Sequence, residues 1–113
     1  MEKLDFTFEF HAEIPNLRNK VEKELRAEAH SRLLALAEGH TDLVGASVVL
    51  EQPAQAETLY LYLARVVAYG RPDHVAAVEK DNTLESSLRG AIEAVERQIR
   101  ERRERLGQRW KQP

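Results

Sequence analysis

The stretch from Thr83 to Leu106 carries apolar side chains at Leu84, Leu88, Ile92, Val95, Ile99 and Leu106, the spacing of one helix face. Its other sides are charged, with Arg89, Glu93, Glu96, Arg97, Arg100, Glu101 and Arg105. Such a helix is not stable alone; its stripe must be buried against something. The pairs Glu93–Arg97, Glu96–Arg100 and Glu101–Arg105 stand four residues apart and each adds a few tenths of a kcal/mol. Asn82 is a candidate cap, and Glu85 would complete a capping box. A second helical stretch spans residues 16–38, with Leu17, Val21, Leu25, Ala29, Leu33 and Leu36 on one side. Pro15 suits its first turn, Asn16 its cap and Gly39 its stop. Two one-sided helices need a common surface, and the rest of the chain must supply it.

The intervening segments have the period of strands. Phe6, Phe8 and Phe10 alternate with Thr7 and Glu9; these are all the phenylalanines of the chain, so this strand is expected at the centre of the core. Leu43 to Leu50 is an apolar run with two adjacent valines, a well-buried strand. Residues 51–57 read as a loop, since Pro53 does not fit a central strand. Thr58 to Val67 alternates again, with Leu59, Leu61 and Leu63 on one face and Tyr60 and Tyr62 on the other. Tyr69 to Pro72 is a turn, and Val75 to Val78 a short last strand. The order β-α-β-β-β-α predicts an α+β fold: a four-stranded mixed sheet, its first two strands parallel through the helical crossover and the others antiparallel. Both helices are expected on one sheet face, leaving the face with Tyr60 and Tyr62 partly open. Residues 1–106 are read as a single domain, and 107–113 as a flexible tail.

Composition excludes several functions. Among 113 residues there is no cysteine, hence no thiolate chemistry, disulfide or cysteine-ligated metal. His11, His30, His40 and His74 have no metal-site spacing, and the five glycines are isolated, so no phosphate loop is present. No serine stands in a nucleophile-elbow context. No catalytic residue, metal or cofactor is assigned, and the chain is read as not an enzyme. No leader-like apolar core or spanning segment is visible, which makes the cytoplasm the expected address.

Charge is the remaining lead. The net charge is −2, but residues 1–86 balance at −6 and residues 87–113 at +4. Lys20, Lys23, Arg26 and His30 line one side of the first helix; Arg89, Arg97, Arg100 and Arg103 line a side of the second. Side by side, the two rows would frame a groove able to hold a nucleic-acid backbone by charge and shape. Tyr60 and Tyr62 are read as sheet packing or the centre of a protein interface. Trp110 falls in register with the apolar stripe of the second helix.

Three segments together resemble a known family. They are Glu13-Ile-Pro-Asn-Leu17-Arg18-Asn-Lys-Val21-Glu22-Lys-Glu-Leu25 entering the first helix, the strand Ala46-Ser-Val48-Val-Leu50-Glu51, and Asp81 through Leu88, Ala91-Ile92, Val95 and Gln98-Ile99-Arg100 in the last helix. In order and spacing they resemble the short ribosome hibernation-promoting factors, also called ribosome-associated inhibitors or subunit-interface proteins. The resemblance implies a fold like a double-stranded-RNA-binding domain and a non-enzymatic stress factor that binds the small subunit of the 70S ribosome. It implies rRNA contacts by Lys20, Lys23 and Arg26 on the first helix and by Arg89, Arg97 and Arg100 on the second. Arg103 extends the second row by spacing. The other reading of the same fold is a protein-interaction or homo-oligomerising module that uses Tyr60 and Tyr62.

Overall fold

A computed structural model describes residues 6–53, 61–71 and 73–111, with side chains to residue 107. Six elements follow in the expected order: β1 (Thr7–Glu13), α1 (Asn19–Ala37), β2 (Leu43–Glu51), β3 (Tyr62–Gly70), β4 (Val75–Asp81) and α2 (Leu84–Lys111). The sheet order is β1-β2-β3-β4, with β1 parallel to β2 and the other pairs antiparallel. This is the double-stranded-RNA-binding-domain-like arrangement. The phenylalanine strand β1 therefore lies at the sheet edge, not its centre. Phe10 is nevertheless buried, and Phe6 and Phe8 pack on the core from its rim.

The core lies between the helices and one sheet face. Register places Phe10, Val48, Val66 and Ala77 in one row across the sheet on that face. Beneath them Leu25, Ala29 and Leu33 of α1 and Leu88, Ile92, Val95 and Ile99 of α2 are buried. The expected stripes of both helices thus point inward, and each fully buried aliphatic side chain contributes about 1.5–3 kcal/mol of transfer free energy.

The faces of β3 are reversed from the sequence reading. Tyr62, Ala64, Val66 and Ala68 face the helices, whereas Leu63, Arg65 and Val67 face away. The alternation itself holds. Hydrophobicity pointed to the leucines as the inward set, but the small side chains Ala64 and Ala68 are what let α2 approach the strand. Tyr62 accordingly packs against the core on the helix side. Tyr60 and Leu59 lie outside the described residues.

The helix ends also differ by a few residues. Asn16 does not cap α1; it has φ +63° in a turn closed by the Leu17 N–H on the Ile14 carbonyl at 3.4 Å. Pro followed by a left-handed Asn is the pattern of a type II turn. The helix begins at Asn19 after Arg18, which makes no side-chain cap. At its other end Gly39, at φ +77°, takes the left-handed position of a turn in which the His40 N–H donates to Ala37 O at 3.1 Å. For α2 the cap is Thr83, not Asn82: its Oγ1 accepts the Ser86 N–H at 3.2 Å. The helix then runs through Gly107 to Lys111, beyond the expected end at Leu106, because one helical glycine costs only about 1 kcal/mol. At 28 residues it is about 42 Å long by the 1.5 Å rise, longer than any strand here. Past Arg103 it outruns its support, and Leu106 is 41% exposed although it continues the apolar stripe.

Candidate nucleic-acid interface

Among the described residues two arginine–carboxylate pairs join the helices, and a third ties α2 to the α1–β2 connection. Arg89 donates to both carboxylate oxygens of Glu28 at 2.8 and 3.0 Å. Arg32 donates to Glu96 at 2.7 and 3.3 Å. Arg103 donates to Asp42, in the α1–β2 connection, at 2.8 Å on each oxygen, and also to the Leu36 carbonyl at 2.8 Å. On α2 the three positions, Arg89, Glu96 and Arg103, stand seven apart on the side that faces α1. Sign alternates along the row, so each partner meets an opposite charge. The hydrogen bonds from Arg89 hold the Glu28 carboxyl below its ordinary range, and those from Arg103 do the same for Asp42. The Glu28 carboxylate in turn raises the Arg89 guanidinium.

Sequence spacing missed this ladder. Glu96 reaches across to Arg32 instead of along the helix to Arg100. Among the described residues Glu93–Arg97 and Glu101–Arg105 form no ion pair, and all four side chains are exposed. The readable signal was the seven-residue repeat of alternating charge beside the apolar stripe.

The expected cations separate into two groups. Arg89 and Arg103 are held by carboxylates, and the Arg103 side chain is only 19% exposed. Lys20, Lys23, Arg26, Arg97 and Arg100 are exposed, and among the described residues none of them forms an ion pair. A groove of about 300 Å³ does run between the helices, lined by Arg32, Ala35, Leu36, His40, Glu96, Arg100 and Arg103. Arg100 and Arg103 of the second row reach it. Lys20, Lys23 and Arg26 do not line it; they lie elsewhere on α1. His30 stacks on Phe8, ring centroids 4.7 Å apart, and so covers the β1 edge of the core.

The distal half of α2 is fixed to the loops at one end of the sheet. Arg102 donates to the Asp73 carbonyl at 2.8 Å, and the Arg71 N–H to the Asp42 carbonyl at 2.9 Å. His74 Nδ1 accepts the Gly70 N–H at 3.2 Å, closing the β3–β4 turn. The helix that carries Arg97 and Arg100 is thereby tied to the loops at that end of the sheet. Among the described residues no group of His, Asp and Glu is arranged to hold a metal ion, and no helix is long and apolar enough to cross a membrane.

Comparison with known proteins supplies the lineage. No curated protein sequence matches the chain. Several solved structures share the fold. The N-terminal domain of Protein Y from Thermus thermophilus superposes with a TM-score of 0.61 at 16% identity, over 80% of this chain and 91% of that one. A ribosomal subunit interface protein from Coxiella burnetii superposes with a TM-score of 0.63 at 6% identity, over 86% and 97%. The family model described as Sigma 54 modulation protein / S30EA ribosomal protein matches residues 11–107. That span runs from within β1 to beyond the last buried turn of α2, and the chain belongs to this family.

Proposed function

We propose that this protein is a non-enzymatic translation regulator of the cytoplasm that binds the small subunit of the 70S ribosome and holds rRNA phosphates on the outer sides of its helices. The observation that supports the reading is the family match across nearly the whole fold, joined to five exposed cations, Lys20, Lys23, Arg26, Arg97 and Arg100, that no ion pair among the described residues engages. A cation that no carboxylate holds can displace the counterions of a phosphate, which is the main source of affinity for nucleic acid. Arg89 and Arg103 enter differently. Their charge is matched within the protein, and they set the spacing of the helices that present the others.

The double substitution Arg97→Gln/Arg100→Gln tests the α2 side. It should lower affinity for 30S subunits about tenfold or more at low salt and reduce the slope of log affinity against log salt by about 2, one per lost phosphate contact. Both side chains are exposed, so thermal unfolding should stay within about 0.5 kcal/mol of wild type. Unchanged affinity and slope would remove α2 from the contact.

A further inference from the structure

The groove between the helices is bracketed by two of the bridges that cross it. Arg32 and Glu96 stand at one end; at the other Arg103 reaches over to Asp42 and to the Leu36 carbonyl. Glu96 and Arg103 are seven residues apart on α2, so the two ends lie about 10.5 Å apart along the helix. Between them the small side chain of Ala35 leaves a socket of about 300 Å³, which Arg100 and His40 also line. These two differ from the arginines at the ends. Among the described residues neither the Arg100 guanidinium nor the His40 imidazole takes part in a hydrogen bond or an ion pair. The three arginines face two carboxylates, Glu96 and Asp42, so one positive charge remains in excess, and it is that of Arg100.

We propose that this socket binds a terminal phosphate group, a phosphomonoester or a free phosphoryl anion, between the Arg100 guanidinium and the His40 imidazole. Charge and closure together select this ligand. A guanidinium meets two phosphate oxygens at once through parallel N–H donors, and an imidazole ring N–H donates to a third. Arg32 and Arg103 stay on their carboxylates and serve as the end walls, so no ion pair has to break. A phosphodiester inside an RNA strand continues on both sides of its phosphorus, and a strand laid along the groove would have to cross a bridge. A terminal phosphate has one substituent and enters from outside. It also carries a charge of about −1.5 to −2 at neutral pH, more than the single charge of a diester. The seat is distinct from the phosphate contacts proposed for Lys20, Lys23, Arg26 and Arg97, and shares only Arg100 with them.

An NMR titration of the full chain with inorganic pyrophosphate, at constant ionic strength and without ribosomes, tests this separately from the rRNA reading. The side-chain signals of His40 and Arg100 should move together along one saturating curve. Arg100→Gln should weaken binding about tenfold or more and His40→Gln several-fold, as expected for lost hydrogen bonds to a charged group. Arg105→Gln removes the same charge from an exposed site on α2 outside the socket, and should change affinity less than about twofold, since a distant exposed charge is screened. All three side chains are exposed, so the variants keep the fold. A single-stranded RNA with a 5′-phosphate, compared with the same strand ending in a 5′-hydroxyl, separates the sources of the ligand. Tighter binding of the phosphorylated strand, lost in Arg100→Gln, would support the socket and assign it to an RNA end. Equal binding of the two strands, with pyrophosphate still saturating the socket, would support it as the seat of a free phosphoryl compound. Pyrophosphate shifts that do not saturate, or equal losses in Arg100→Gln and Arg105→Gln, would mean non-specific ion binding only and would overturn the proposal.

Discussion

Leu88→Ala should lower the free energy of unfolding by about 2–5 kcal/mol. Leu88 is fully buried on α2, beneath β3 and β4. Alanine would remove the contacts of the lost atoms and leave a cavity. The cavity cannot readily collapse, because the first turn of α2 is fixed by the Thr83 cap and by the buried Ser87 hydroxyl donating to Leu84 O at 2.8 Å. Leu106→Ala is the internal control. It removes the same atoms from a side chain 41% exposed beyond the sheet, and should cost under about 1 kcal/mol. Urea unfolding of both variants checks this, with the midpoint moving and the slope constant. Similar losses at the two positions would mean that the distal half of α2 is as deeply packed as the proximal half.

Arg103→Gln should cost about 2–3 kcal/mol near pH 7, because it strips a charged hydrogen-bond partner from Asp42 and a donor from the Leu36 carbonyl. Both side chains of the pair are less than a quarter exposed, so solvent screens the loss only in part. The pair also makes a pH signature. Arg103 holds the Asp42 carboxyl lower in the folded protein than in the unfolded chain. The folded state therefore binds fewer protons. The stabilisation is complete above the unfolded value of about 4 and is lost as pH falls through the lower folded value. The gap between wild type and Arg103→Gln should accordingly narrow from pH 5 toward pH 2. Glu28 contributes in the same direction through Arg89 in both proteins and so cancels from the difference. A gap that is constant with pH would mean that the Asp42 contact does not carry the effect. Removing Arg103 together with Arg97 and Arg100 would mix this structural loss with a loss of affinity, which is why the functional variant leaves it in place.

Much of this architecture was legible in the residues. A helix face such as Leu84, Leu88, Ile92, Val95 and Ile99 has only one way to be buried, and the β-α-β-β-β-α order leaves few sheets that serve two such helices. What could not be read was decided by partners distant in sequence. Whether the leucines or the tyrosines of β3 point inward depends on how closely α2 must approach Ala64 and Ala68. Whether Arg103 meets a phosphate or a carboxylate depends on Asp42, 61 residues away. Local pairing rules sent Glu96 to Arg100; the neighbouring helix takes it to Arg32. For the candidate interface, spacing identified which positions are basic, and the fold then separated the cations that hold the protein together from those that face outward.

Co-sedimentation of the purified protein with 30S subunits and 70S ribosomes, at low and at high salt, is the measurement to make first. Saturable binding near one copy per ribosome, weakening steeply as salt rises, is the predicted result. No binding at low salt to ribosomes of the source organism, or binding indifferent to salt, would contradict an rRNA contact made through exposed cations on the two helices.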